Sequence, residues 1–385
     1  MSYLVRSIEL DKKTGKQQPL YKQIRHEIIN MIQKGNMKAG DTLPSASYLA
    51  NQLHVNYRTV RQAFTTLVKD GVLLYNPNRG YILEKPETIP SAIRTAIMFI
   101  RPGSNAFCLS LSEGIHRYAA EEKIHLIEVD AQNCHQSSVE AIRNPGPQVG
   151  GLLIMPYILP AYVEAVNVAI RQGVYVVLID RDLGEVPVSS VMSDHFGGAY
   201  KATRHLLEQH SCPVYYFGYT KQPSSVQNWY CGWHEAMREY NYCEEDRYTL
   251  PFPYTEADVY QNFPKDPKLI TQAAKTAFQR IPERPFSILA GDDQMAREVY
   301  LAAEEVGLKV GRDIFIIGFG NSPLCEILPV KLTSVEQNST KVGYEGAKLL
   351  HEQMVKYSSG VKRILIPTEL HIRMSSVGKN KAIHS

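Results

Sequence analysis

From residue 95 onward, short apolar runs alternate with amphipathic helical stretches, and that alternation leaves few folds open. "TAIMFI", "IHLIEVD", "VGGLLIM" and "VYVVLID" read as buried strands, and "AFCLSLSEGIHRYAAEE" and "LPAYVEAVNVAIRQG" read as helices between them. Strands that are apolar on both faces and separated by helices belong to a parallel, doubly wound sheet. The pattern resumes with "GGAYKATRHLLEQH", "PVYYFG", "WYCGWHEAMREY", "FSILAG", "DDQMAREVYLAAEEVG" and "DIFIIGFG", a second unit of the same kind. Two such lobes enclose a cleft. Ligands of open α/β sheets lie beyond the carboxyl ends of the strands, so the loops after residues 100, 155, 180, 218, 290 and 318 are expected to line it.

Those loops mix polar groups with Phe107, Tyr157 and Trp229. An aromatic plate beside hydrogen-bonding groups suits a small polyol, whose C–H face stacks while its hydroxyls are paired. A plainer reading stands beside this one, with Phe107 and Trp229 as core residues and Asp292 as the N-cap of a helix beginning at Gln294.

Charge separates the first part of the chain from the rest. Residues 1–85 hold 13 Lys and Arg against 6 Asp and Glu, whereas the whole chain nets only +3. A small basic domain on a mildly acidic body is the electrostatic footprint of a nucleic-acid binder. In "PLYKQIRHEIINMIQKG", Leu20, Ile24, Ile28 and Ile32 form one apolar stripe that Gly35 terminates. Ser45 can N-cap a short second helix through Leu49, Ala50 and Leu53.

A third helix begins near Asn56, with Val60, Ala63, Phe64 and Leu67 on its core face. At about 100° per residue, Tyr57, Arg58, Arg61 and Thr65 share a different arc. This is the layout of a half-buried reader helix, although an ordinary solvated face gives the same pattern. "VLLY" and "GYIL" around "NPNR" read as a two-stranded wing with Arg79 at its tip, within reach of a phosphate. The expected organisation is a winged helix-turn-helix at 1–84, an extended linker at 85–94 and a two-lobed α/β body at 95–385.

"PLYKQIRHEIINMIQKGNMKAGDTLPS", "LANQLHVNYRTVRQAF" and "LVKDGVLLYNPNRGYIL" resemble the GntR family of bacterial transcription regulators. That resemblance implies DNA contacts from Arg58, Thr59 and Arg61 on the reader helix and from Asn78 and Arg79 in the wing. Ser45 and Tyr57 complete the expected DNA-facing set. Ser47 and Tyr57 stand where relatives usually carry arginine, and a phenol cannot make the bidentate contact that arginine makes to guanine.

The body resembles the effector domain of the LacI/GalR family, through "VVLIDRD", "VMSDHFGGAYKATRHLLEQH", "GDDQMAREVYLAAEEVGLKVGRDIFIIGFGNSP" and "LTSVEQNSTKVGYEGAKLL". It implies effector contacts from Phe107, Asp180, Arg181, Ser193, Asp292 and Gln337, and a homodimer paired through the helices near 107–121 and 338–357. Trp229 and Gly320 occupy positions where the family usually has an arginine and an aspartate. The ligand is therefore expected to be either an unusual sugar approached by stacking on Trp229 or a molecule other than a sugar.

Other classes fit less well. No apolar run approaches the roughly 20 residues that span a bilayer, and the N-terminus has no apolar signal region, so a cytoplasmic protein is expected. The six cysteines form no C-x-x-C and no zinc-finger spacing. Neither a metal nor another cofactor is expected, and the common catalytic signatures are absent. The residues after the linker are too few for the pyridoxal-phosphate fold fused to some GntR regulators, and a free solute receptor would have no wing. The expectation is a DNA-binding repressor whose operator affinity is set by a sugar closing the cleft.

Overall fold

The computed structural model describes residues 10, 19–33, 37, 40–69, 72–77, 79–83, 96–103, 105–131, 134–184, 186–221, 223–254, 266–356 and 361–377. The expected linker, Gly35 and Asn78 lie outside the described residues.

The head consists of α1 (Leu20–Gln33), α2 (Ala46–Leu53), α3 (Tyr57–Lys69) and a hairpin of β1 (Leu73–Asn76) and β2 (Gly80–Leu83). Ile24, Ile28, Leu49, Val60, Ala63, Phe64 and Leu67 are fully buried and close one small core. The hairpin is antiparallel, pairing Leu73 with Leu83 and Asn76 with Gly80. Residues 40–43 brace the outer edge of β2 through backbone hydrogen bonds, including Leu43 N–H to Tyr81 O at 2.8 Å.

The body begins with β3 (Ala96–Arg101), α4 (Ala106–Glu121), β4 (Leu126–Asp130), α5 (His135–Arg143), β5 (Val149–Ile154), α6 (Pro160–Arg171), β6 (Tyr175–Ile179) and β7 (Ser189–Ser193). It continues through α7 (His195–His210), β8 (Val214–Phe217), α8 (Ser224–Glu239), α9 (Glu245–Tyr248), α10 (Pro267–Arg280), β9 (Phe286–Ala290), α11 (Asp293–Glu305), β10 (Ile314–Phe319) and α12 (Leu324–Ile327). β11 (Thr333–Glu336), α13 (Ser339–Lys356), β12 (Arg363–Ile366), β13 (Glu369–His371) and α14 (Met374–Val377) complete it.

The first sheet has the order β12-β7-β6-β5-β3-β4 and is parallel throughout. The second, β13-β11-β10-β9-β8, is parallel except for its edge strand β13, which runs against β11. That antiparallel edge departs from the all-parallel expectation. α5, β7, β11, β12 and β13 also go beyond the strands and helices read from the periodicity, and α11 starts one residue earlier than expected, at Asp293.

The chain passes between the lobes three times, at 193–195, 336–339 and 366–369. After β7 it leaves the first sheet for α7, which packs on β9 and β13; after β11 it returns as α13, which packs on α4, β5, β6 and β7; and after β12 it departs again as β13. The crossings are tied together. Asp194 N–H donates to Ile366 O at 2.8 Å, Asn338 Nδ2 donates to Pro367 O at 2.8 Å, and Ser193 Oγ donates to Gln337 O at 2.5 Å. α4 and α13 cross with backbones nearly touching, since a Cβ on Gly114 or Gly343 would fall 1.8 Å or 2.1 Å from the Thr340 or Leu111 carbonyl oxygen. Only glycine permits that approach.

Candidate functional site

In the head, Asn56 starts α3 by accepting the Arg58 N–H at 2.8 Å, and Ser45 starts α2 by accepting the Tyr48 N–H at 3.2 Å. With the core face of α3 fixed by Val60, Ala63, Phe64 and Leu67, its opposite side must face solvent. Tyr57, Arg58, Arg61 and Thr65 are exposed there and Thr59 is half-buried. Arg79 is exposed at the turn of the hairpin, where its N–H donates to Asn76 O at 3.2 Å. Cations therefore stand on both α3 and the wing.

The second site is the lobe junction, at the carboxyl ends of the strands. β6 ends at Ile179, and Asp180 takes a left-handed backbone conformation, φ 68°, that non-glycine residues adopt rarely and at a cost. Its buried carboxylate accepts from Arg181 Nε at 2.9 Å and, across the junction, lies 3.4 Å from Ser225 Oγ of α8. His195 Nε2, at the start of α7, lies 3.3 Å from Asp180 Oδ1. That length and its angle leave Nε2 short of a full hydrogen bond, so the attraction is chiefly electrostatic. Burial pushes the Asp180 carboxyl up; His195 and the Arg181 charge outweigh it and hold the group below the usual carboxylate range.

Trp229 on α8 closes the other side of His195. Its indole Nε1–H donates to His195 Nδ1 at 2.7 Å, and its ring stacks on Phe319, at the end of β10, with centroids 4.7 Å apart. An indole nitrogen can only donate, so the imidazole accepts at Nδ1 and carries its hydrogen on Nε2, facing Asp180. A continuous chain thus runs from Asp180 in the first lobe through His195 and Trp229 to Phe319 in the second. A second tie joins the same loops, from Ser224 Oγ to the N–H of Asp182 at 3.1 Å.

The structure brings Asp180, Arg181, Ser193, Trp229 and Gln337 to this junction, with the Ser193 hydroxyl and the Gln337 carbonyl engaged with each other. Phe107 is half-buried against the first-lobe core, beside Cys108. Asp292 lies beyond β9 and N-caps α11 by accepting the Met295 N–H at 2.6 Å, the plainer of its two readings. Its neighbour Asp293 points elsewhere, accepting from Ser334 Oγ at 2.6 Å and the Ser322 N–H at 2.7 Å, so the two carboxylates do not converge. Among the described residues, no group of three or more His, Cys, Asp or Glu is placed to hold a metal ion.

His195, Ser224, Ser225 and Phe319 were not singled out from the sequence. The one available signal was for His195, which follows the helix cap Asp194 at the end of a strand.

Comparison with known proteins agrees with this architecture. Residues 20–82 match the family described as bacterial regulatory proteins, gntR family, and residues 203–376 match the periplasmic binding protein-like domain. The arabinose metabolism transcriptional repressor of Geobacillus stearothermophilus is 24% identical over 381 residues, covering 93% of this chain and 98% of that protein. Catabolite control protein A of Priestia megaterium is 26% identical over 308 residues, covering 78% and 86%. The fold of a LacI family transcriptional regulator from Enterococcus faecium, solved with bound ribose, superposes with a TM-score of 0.61 at 22% identity, covering 74% of this chain and 100% of that one. The head is therefore similar to the gntR family of bacterial regulatory proteins, and the body behind it is similar to the periplasmic binding protein-like domain and has the fold of a LacI family regulator.

Proposed function

We propose that the protein is a cytoplasmic transcriptional repressor that grips duplex DNA with its head and releases it when a small sugar enters the lobe junction. The observation that carries this reading is the pairing of exposed Arg58 and Arg61 on α3 with exposed Arg79 on the wing. An arginine-bearing helix beside a basic hairpin matches a major groove flanked by two phosphate backbones. Arg58, Thr59 and Arg61 take the groove; Arg79, Asn78 and the N-terminus of α2 at Ser45 take the backbone.

The effector is held by Asp180, Arg181 and Gln337 at the junction, with Phe107, Ser193, Trp229 and Asp292 around them. Sugar fits because aromatic rings stand beside hydrogen-bonding groups there, and a protein of the same fold is known with ribose. Asp180 accepts from Arg181 and Ser193 donates to the Gln337 carbonyl, so the effector competes with these internal partners and acts by shifting the lobes relative to one another.

The active species is a homodimer, paired through the outer face where α4 and α13 lie together. Leu109 and Val355 on those helices are 51% and 45% exposed. Two heads on a two-fold axis suit a palindromic operator. The role is regulatory and not catalytic, and no helix among the described residues is long and apolar enough to cross a membrane.

The test is fluorescence anisotropy of the full chain on the promoter fragment beside its own gene, across a salt series and a panel of monosaccharides. Binding should weaken steeply with salt, and Arg61→Ala should lower affinity at least tenfold, roughly the 1.4 kcal/mol of one lost contact. Arg61→Ala affinity within a factor of two of the parent would refute the reader helix.

A further inference from the structure

We infer that Tyr57 reads a thymine in each operator half-site by packing its ring on the C5-methyl group, an inference that rests on the proposed DNA-binding role of the head. Tyr57 is the first residue of α3 and is 45% exposed on a face otherwise made of Arg58, Arg61, Gln62 and Thr65. Side chains tilt toward a helix N-terminus, so this ring projects past the start of α3, the end that enters the groove. Four residues on, Arg61 shares its face.

Tyr81 packs against the buried Phe64 with centroids 4.7 Å apart and against Tyr75 at 5.1 Å, and Tyr75 is 55% exposed. Burial pushes the Tyr81 phenol up, Arg61 opposes the rise, and the Tyr75 and Tyr57 oxygens add to it. The wing rings thus pack on the core of α3, on the helix whose first residue is Tyr57.

The chemistry of the major groove selects the partner. Guanine, adenine and cytosine present there only donors and acceptors, and thymine alone adds an apolar group, its methyl. A single phenolic hydroxyl cannot pair two base atoms at once, but a half-exposed aromatic ring gains by covering a methyl. Arg58 and Arg61 supply the bidentate and phosphate contacts beside it.

The experiment uses the full chain and its operator, with each thymine replaced in turn by deoxyuridine, and reads affinity by anisotropy. One thymine per half-site should lose about fourfold in affinity, the value of one buried methyl group. Tyr57→Ala should bind the thymine and deoxyuridine operators equally, Tyr57→Phe should keep the discrimination, and Arg61→Ala should weaken both operators alike. If no deoxyuridine substitution matters to the parent protein, or if Tyr57→Ala still discriminates, the assignment is overturned. Loss of the discrimination in Tyr57→Phe would overturn it too, making the hydroxyl the contact. A chain that binds no duplex at any salt concentration fails the DNA-binding reading itself, a result distinct from binding without methyl discrimination.

Discussion

Replacing Trp229 by phenylalanine deletes one hydrogen bond at the lobe junction while leaving a ring against Phe319. The bond removed is the 2.7 Å donation from Nε1 to His195 Nδ1, and His195 is only 1% exposed, so water cannot take the place of the indole. A buried acceptor left without its donor costs about 1–3 kcal/mol. For a domain of this size that lowers the thermal midpoint by about 2–10 °C. The chain has two tryptophans, and the other, Trp233, is 1% exposed in the second-lobe core, so its fluorescence reports unfolding of that lobe in the variant. His195→Ala and the double variant complete a cycle in urea, with a coupling energy between about 0.5 and 3 kcal/mol expected. Additivity of the two single changes to within about 0.3 kcal/mol would mean that indole and imidazole do not depend on each other, and the chain from Asp180 to Phe319 would not be a unit.

The same junction should respond to acid. Asp180 there, and Glu128 on β4 of the first lobe, where burial is outweighed by hydrogen bonds with Arg101, His116 and Ser112, are held below their ordinary values of 3.8 and 4.5, so their stabilisation is complete above that range and is lost as pH falls through the folded values. The urea midpoint should drop below about pH 4, more steeply for the parent than for Asp180→Asn or Glu128→Gln; parallel curves would contradict this. Gly343→Ala places a methyl group 2.1 Å from the Leu111 carbonyl oxygen and should cost at least about 3 kcal/mol or prevent folding, checked by circular dichroism melting. Leu109→Glu should yield folded monomers by light scattering and circular dichroism and weaken operator binding, if the α4–α13 face pairs two copies. Trp229→Ala should blunt release of DNA by the effector, and an unaltered dose response would remove Trp229 from the effector site.

Much of the fold was legible wherever burial alone decides the residue types. The core face of α3 and the apolar strands β3, β5, β6 and β10 are such places, because each buries nearly every side chain that could be apolar. The missed elements lack that signature. β7 is fully buried yet reads "SSVMS", and its Ser189 hydroxyl pairs with Gln353 Nε2 at 2.6 Å and the Lys362 N–H at 3.0 Å, partners far along the chain. In α5 only Ser138, Val139 and Ile142 are buried, too thin a stripe to stand out, and β12 is an edge strand with Leu365 59% exposed. Asp180, Ser193 and Trp229 could be named from residue type and family position. Their engagement with His195, Ser225 and Gln337 could not, because it arises only when three separate crossings meet.

Those crossings also govern the order in which a nascent chain can become a protein. The head has all its strands and helices once residue 83 has left the ribosome, and it can fold while the remainder is still being made. The first lobe cannot follow suit, because α13, which completes the cover of the face that α4 shields only in part, is not made until residue 356 and one edge strand not until residue 366. Through most of synthesis a finished head is therefore tethered to a sheet with one face incompletely covered, and chaperone capture of that intermediate should be strongest just before translation ends.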